Sequence, residues 1–127
     1  MKVLIVDDSS VARKIIKAVV DELQMETEEA EDGIEALEKI SQIYKELDLI
    51  LLDWNMPEMN GYDVLVELKS SDKYREIPVM MVTTEAQRSH IVAAIRMGAA
   101  NYLTKPFTVE ELEIKINECL GEKGNLE

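Results

Sequence analysis

Four short apolar runs in this chain each end on a residue able to do chemistry. Val3-Leu4-Ile5-Val6 runs into Asp7-Asp8, and Leu49-Ile50-Leu51-Leu52 runs into Asp53. Val79-Met80-Met81-Val82 runs into Thr83, and Tyr102-Leu103 leads through Thr104 to Lys105-Pro106. Unbroken apolar runs of this length, rich in branched side chains, mark strands buried on both faces, as in a parallel sheet. Parallel strands put all their C-terminal ends on one edge, where open α/β folds bind ligands. Periodicity alone therefore gathers three carboxylates, a hydroxyl and an ammonium in one place.

The stretches between the runs alternate helix and strand from end to end. Ser9-Ser10 can cap a first helix with Val11, Ile15, Val19 and Leu23 on its buried face. Met25 to Ala30 reads as a second strand, whose glutamates suit a sheet edge. Asp32-Gly33 opens a second helix with Ile34, Leu37, Ile40 and Tyr44 in register. A third helix buries Val64, Leu65 and Leu68 and ends near Ser70-Ser71. The fourth spans about Glu85 to Met97, with Ile91, Ala94 and Ile95 inward and Gly98 as its stop. After a fifth strand at Asn101 to Thr104, the last helix starts at Thr108, paired with Glu111 in a capping box, and buries Val109, Leu112, Ile116 and Cys119. Residues 1–120 form one domain, and 121–127 read as a frayed tail or the stub of a linker. The result is an α/β fold: a doubly wound, five-stranded parallel sheet, flavodoxin-like (β/α)5, with strand order 2-1-3-4-5. In that order the strands ending in Asp7-Asp8 and Asp53 are neighbours.

Composition narrows the function. At 127 residues the chain can bury a core without staples. A net charge of −12 argues against nucleic acid, whose phosphates call for excess Lys and Arg, and suits a divalent cation or a basic partner surface. No apolar stretch approaches the ~20 residues of a membrane span. The chain enters its first strand at once, so no signal peptide is expected. The lone Cys119 cannot form an internal disulfide, which fits a reducing compartment such as the cytoplasm. No glycine-rich loop follows a strand, so a nucleotide or flavin site lacks its main requirement. The single histidine, His90, is expected to be exposed and without a catalytic role. Met80 and Met81 belong to the core, and Met56 and Met59 to the loop beside the site. Trp54, next to Asp53, should report on what occupies the site.

Clustered carboxylates have a cost. Two like charges about 4 Å apart repel by roughly 4 kcal/mol at a surface-like dielectric of ~20. Either one carboxyl rises in pKa or a cation sits between them. An all-oxygen donor set suits Mg²⁺ better than a softer metal. A carboxylate beside a metal and an ammonium is poised to attack an electrophile that carries negative charge, such as a phosphoryl group. Asp53 can then be the nucleophile and form an acyl phosphate. Lys105 would balance phosphoryl oxygens, and the Thr83 hydroxyl would hydrogen-bond one of them.

Four motifs, in order and at matching spacing, carry a resemblance to a known family. They are Val6-Asp7-Asp8-Ser9-Ser10, Asp53-Trp54-Asn55-Met56-Pro57, Met81-Val82-Thr83-Thr84-Glu85-Ala86 and Tyr102-Leu103-Thr104-Lys105-Pro106-Phe107. The chain resembles, over nearly its whole length, the receiver domains of two-component response regulators, especially single-domain chemotaxis members. The resemblance implies that a sensor histidine kinase phosphorylates Asp53. It implies that Asp8, Asp53 and the Asn55 carbonyl bind Mg²⁺, with Asp7 helping through water, and that the Lys105-Pro106 bond is cis. On phosphorylation Thr83 would shift toward the phosphoryl group and Tyr102 would swing inward. That would remodel the face made by the fourth helix, fifth strand and fifth helix, with Arg88, Ile91, Tyr102 and Lys115 as partner-facing residues. Asn55 and Glu85 would tune how fast water removes the phosphoryl group. Two departures stand out. Thr84 is bulkier than the alanine often found there, and Ser9 replaces an aromatic found in some chemotaxis members.

The implied function is a phosphorylation-activated signalling switch, not a metabolic enzyme, that catalyses its own phosphoryl transfer and dephosphorylation. It would act as a monomer on a downstream protein such as the flagellar motor switch. A relay intermediate, a phosphate sink or the isolated receiver of a longer regulator would carry the same site. A Mg²⁺-dependent phosphohydrolase of the haloacid dehalogenase kind is disfavoured, because the acid it needs two residues past the nucleophile is here Asn55. A degenerate, unphosphorylated receiver would be expected to lack Asp53, Lys105 or the acidic pair.

Overall fold

The apolar runs become β1 (Lys2–Val6), β3 (Leu49–Leu52) and β4 (Val79–Thr83), in which every residue except Lys2 is buried. Strands apolar at every position need helices over both faces of the sheet, and that is what forms. The computed structural model describes the backbone of residues 1–124 and the side-chain surroundings of residues 1–121. With β2 (Glu26–Ala30) and β5 (Asn101–Thr104) at the edges, the sheet is five-stranded in the order β2-β1-β3-β4-β5. All pairings are parallel. The expected flavodoxin-like order is the one found.

Because side chains alternate along a strand, each central strand feeds two cores. Leu4, Val6, Ile50, Leu52, Val79 and Met81 face α2 (Gly33–Ile43), α3 (Gly61–Lys69) and α4 (Arg88–Met97). Val3, Ile5, Leu49, Leu51, Met80 and Val82 face α1 (Ser10–Glu22) and α5 (Val109–Gly124). Caps fix the helix starts. Ser9, Asp32 and Asn60 accept backbone N–H groups at α1, α2 and α3. Thr108 and Glu111 bond reciprocally at α5. Gly98, at φ 114, ends α4 as its spacing predicts.

The helical faces depart from expectation. Val11 and Ile15 are exposed; Val19 is buried and Leu23 packs against the core as expected, and Ile16 and Val20 take the places of the first two. A step of four residues turns a helix through about 400°, so a series at 11, 15, 19 and 23 drifts across the surface and reaches the core only late. Ile34, Ile95 and Val109 are likewise exposed, while Ala36, Ile40, Ala94, Leu112, Ile116 and Cys119 are buried. Ile15 instead borders an apolar cleft of about 180 Å³, shared with Ala12, Ile16, Lys105, Pro106 and Phe107.

Helix α4 begins at Arg88, not near Glu85. The backbone of Glu85 is already engaged: its N–H donates to Thr83 Oγ1 and its carbonyl accepts from the Tyr102 hydroxyl. Helix α5 continues past the expected boundary at 121 to Gly124, and residues 125–127 of the expected tail lie outside the described residues.

At the end of α1, Gln24 adopts φ 62 while the Met25 N–H closes back on the Val20 carbonyl. This is the place where helices favour glycine. A left-handed conformation costs a side-chain-bearing residue roughly 1–2 kcal/mol. Gln24→Gly is therefore expected to stabilise the fold by about 0.5–1 kcal/mol after its own entropy cost, read as a higher urea midpoint at unchanged slope. A lower midpoint would show that the Gln24 side chain contributes more than its backbone costs.

Candidate functional site

Each site residue is placed by the end of a strand. The Asp7 N–H donates to the Ala30 carbonyl and the Asp53 N–H to the Val6 carbonyl, so hydrogen bonding continues one residue past the paired strands. The Lys105 N–H donates to the Thr83 carbonyl, tying the end of β5 to that of β4. The side chains of Asp7, Asp53 and Thr83 are buried at this edge, and Asp8 is exposed.

Carboxylate oxygens of Asp7, Asp8 and Asp53 all lie within 4.8 Å of one another. Lys105 Nζ reaches Asp7 Oδ2 at 2.6 Å and Asp53 Oδ2 at 3.7 Å. Burial is the main cause that raises the Asp53 pKa above the ordinary carboxylate value, and the Asp7 charge adds to it. The Thr83 hydroxyl, the Lys105 ammonium and the Asn55 N–H pull the other way. Asp7 also accepts from the Ser9 N–H, so both its oxygens are engaged. Three acidic groups, one of them open to solvent, surround a space that could hold a metal, and every donor there is oxygen.

The predicted residues Asp7, Asp8, Asp53, Asn55, Thr83 and Lys105 thus converge. The Asn55 N–H donates to Asp53 Oδ1 (3.3 Å) and its amide to Thr84 Oγ1 (3.4 Å), so the bulkier Thr84 takes part in the rim. The Lys105-Pro106 bond is cis. Tyr102 is buried, with its hydroxyl 2.6 Å from the Glu85 carbonyl. Burial pushes the Tyr102 phenol up to about 12, with Glu85 and Asp53 adding to the rise. Arg88 is exposed and Ile91 half-buried on α4, while Lys115 Nζ donates to Asn101 Oδ1 (3.3 Å) from α5. Arg88 and Ile91 thus belong to α4, Tyr102 to β5 and Lys115 to α5.

Three contributors escaped the sequence reading. Arg13 donates from Nη1 to the Asp7 carbonyl (2.5 Å) and from Nε to Glu29 (2.9 Å), clamping the β1 end to β2. Its spacing from Ile16 and Val20 on one face of α1 was the available signal. Gly61 lies against the Asp53 carbonyl so closely that any β carbon would sit 1.9 Å from that oxygen. His90, expected to be exposed, is half-buried: Nδ1 lies 2.8 Å from Glu85 Oε1 and the ring meets Trp54 at 4.9 Å.

Among known proteins, the chain is 43% identical over 122 residues to the chemotaxis protein CheY1 of Helicobacter pylori, covering 95% of this chain and 98% of that one. It is 39% identical to a chemotaxis protein CheY homolog of Campylobacter jejuni, covering 95% and 93%. The solved structure of Vibrio cholerae CheY4 superposes with a TM-score of 0.86 at 34% identity, over 94% of this chain and 98% of that one. CheY of Borrelia burgdorferi, solved as a CheX-CheY-BeF3-Mg²⁺ complex, superposes at 0.87 with 26% identity, over 92% and 87%. The profile of the response regulator receiver domain runs from residue 3 to residue 117, from β1 into α5, and to that family the chain belongs.

Proposed function

We propose that the protein is a phosphorylation-activated switch of a two-component system, in which Asp53 accepts a phosphoryl group from a histidine kinase. The observation that carries this reading is the junction of Asp7, Asp8 and Asp53 with the Lys105 ammonium at one sheet edge. In the transfer, an Asp53 carboxylate oxygen attacks phosphorus, and the bond from phosphorus to the donor's imidazole nitrogen breaks. The nitrogen keeps the electron pair and the aspartyl phosphate remains on this chain. Lys105, already between Asp7 and Asp53, is placed to follow the added negative charge. Thr83, beside Asp53, is placed to donate its hydroxyl to a phosphoryl oxygen.

The donor set fits Mg²⁺. Asp8 and Asp53, with the Asn55 carbonyl, would hold it, and Asp7, both of whose oxygens are engaged, would act through water. When bound, the ion would supply positive charge to phosphoryl oxygens. Among the described residues no helix is long and apolar enough to cross a membrane, which is consistent with a role in the cytoplasm.

Output would pass from Thr83 through Glu85 to Tyr102 and the α4-β5-α5 face, where Arg88, Ile91 and Lys115 would meet a downstream protein. The names of the relatives support a role in chemotaxis. In such a role the downstream protein would be the flagellar motor switch.

The test is intact mass after incubation with Mg²⁺ and a small acyl-phosphate donor. One phosphoryl adduct is expected, absent without metal and absent in Asp53→Asn. An adduct that persists in Asp53→Asn would move the phosphoacceptor elsewhere. No adduct in the wild type, tested from seconds to hours, would sink the reading.

A further inference from the structure

We propose that Arg13 is a positioning residue that fixes the Asp8 carboxylate for a small divalent ion, and so sets a preference for Mg²⁺ over Ca²⁺. The inference rests on the receiver reading and adds a residue outside the four motifs.

Of the three acidic groups, Asp8 is the one without side-chain support. Asp7 is buried and engaged through both carboxylate oxygens. Asp53 is buried, with the Asn55 N–H on one oxygen and Lys105 Nζ 3.7 Å from the other. Asp8 is exposed, and among the described residues its carboxylate has no hydrogen-bond or ion-pair partner. It nevertheless stands with an oxygen within 4.8 Å of those of Asp7 and Asp53. The backbone must aim it.

Two peptide groups decide that aim, one on each side of Asp8. The Ser9 N–H, after it, donates to Asp7 Oδ1 at 2.9 Å. The Asp7 carbonyl, before it, accepts from Arg13 Nη1 at 2.5 Å. Arg13 is itself held: Nε donates to Glu29 Oε1 at 2.9 Å, and its backbone N–H donates to the Ser9 carbonyl at 3.0 Å. Its side chain is only 15% exposed. The guanidinium is planar and rigid, so two bonds from one fork leave it little freedom to turn. Glu29 belongs to β2, next to Ala30, whose carbonyl takes the Asp7 N–H. Asp7 is thus latched to β2 through both backbone groups, directly at its N–H and through Arg13 at its carbonyl. Without Arg13 that carbonyl loses its partner, the peptide can rotate, and the Asp8 carboxylate swings with it.

Charge alone predicts the reverse. Arg13 is a cation close to three carboxylates, so deleting it would strengthen their pull on any divalent ion. Positioning predicts a weaker hold. Two ions of equal charge separate the effects further. Mg²⁺ demands a compact, near-octahedral set of oxygens, whereas Ca²⁺ accepts longer distances and irregular sets. A loosened Asp8 therefore costs Mg²⁺ more than Ca²⁺, while a change of charge acts on both alike.

The single tryptophan stands next to Asp53 and serves as the reporter. Trp54 emission is titrated with Mg²⁺ and with Ca²⁺ in wild type, in Arg13→Met and in Arg13→Met/Glu29→Gln, whose net charge equals that of wild type. In both variants Mg²⁺ should bind about tenfold more weakly, the lower end of what is lost with a group that orients a metal ligand. Ca²⁺ should weaken by no more than about twofold, which lowers the preference for Mg²⁺ about fivefold. Arg13→Lys keeps the charge and loses the planar fork, so it should show the same change of preference in smaller measure. Melting curves establish that each variant is folded at the titration temperature, and Arg13→Lys carries the comparison if Arg13→Met is not.

Mg²⁺ binding to Arg13→Met as tight as to wild type, or tighter, would overturn the proposal. So would equal weakening of the two ions. A wild type whose emission and melting temperature both ignore Mg²⁺ would instead bring down the metal site of the receiver reading, and this role with it.

Discussion

Gly61→Ala, a change of one methyl group, should lower stability by roughly 3 kcal/mol and abolish the response of Trp54 to Mg²⁺. The added β carbon would lie 1.9 Å from the Asp53 carbonyl oxygen, 2.8 Å from its carbon and 2.9 Å from Trp54 Cα. All three are backbone atoms, so no side chain can rotate out of the way. Gly61 cannot easily retreat. Its N–H donates to the Trp54 carbonyl at 2.8 Å, Asn60 caps the helix it starts, and Val64, Leu65 and Leu68 anchor that helix fully buried. Either α3 lifts off the sheet and leaves voids, or the Asp53–Asn55 backbone shifts and takes the acceptor oxygens with it. Both outcomes damage function, and the second does so even where the fold survives. Urea unfolding and a Mg²⁺ titration of Trp54 fluorescence check the two effects separately. A near-wild-type midpoint with normal metal response would mean that the loop yields at little cost.

Gly61 also marks the limit of what the sequence makes legible. The strand ends were readable because a buried parallel strand has a simple signature: apolar at every position, then a polar residue where the sheet stops. Asp7, Asp53, Thr83 and Lys105 each follow such a run, so their convergence needs only the strand order. Three helix starts were readable for a similar local reason, as Ser9, Asp32 and Thr108 cap the helices that follow them. The buried faces of the helices were less so. Val11, Ile15, Ile34, Ile95 and Val109 are as apolar as the core residues beside them, and only packing decides which lie inward. What lies between loops was not readable at all. The β3–α3 loop must close on Asp53 before Gly61 has a reason to be glycine. The β4–α4 loop must keep Glu85 out of the helix before His90 can reach it, and a pattern of residue types encodes neither distance.

Asp53→Asn should give the larger lesson about why the site is built at a cost. In metal-free buffer at pH 7 the variant is expected to be more stable than wild type, read as a higher melting temperature. The Asp53 carboxyl is raised above its ordinary value of 3.8, chiefly by burial and further by Asp7. The folded chain therefore holds that proton more tightly than the unfolded chain does. Above the raised value the ionised group works against folding. As pH falls through that value toward 3.8 the penalty disappears, and below 3.8 it no longer counts. The advantage of Asp53→Asn should shrink in the same window, because the amide is neutral throughout. Lys105 is not orphaned by the change, since its closer partner is Asp7 at 2.6 Å. Adding Mg²⁺ should reverse the order: an ion held by Asp53 stabilises the folded wild type by mass action and the variant less. Thermal melts at pH 7 and about pH 4.5, each with and without Mg²⁺, contain the whole test. A variant less stable than wild type in metal-free buffer at pH 7 would mean that Lys105 and Thr83 more than offset the burial of Asp53. The carboxylate would then be settled in its pocket, with no unmet charge to draw a metal or a phosphoryl group.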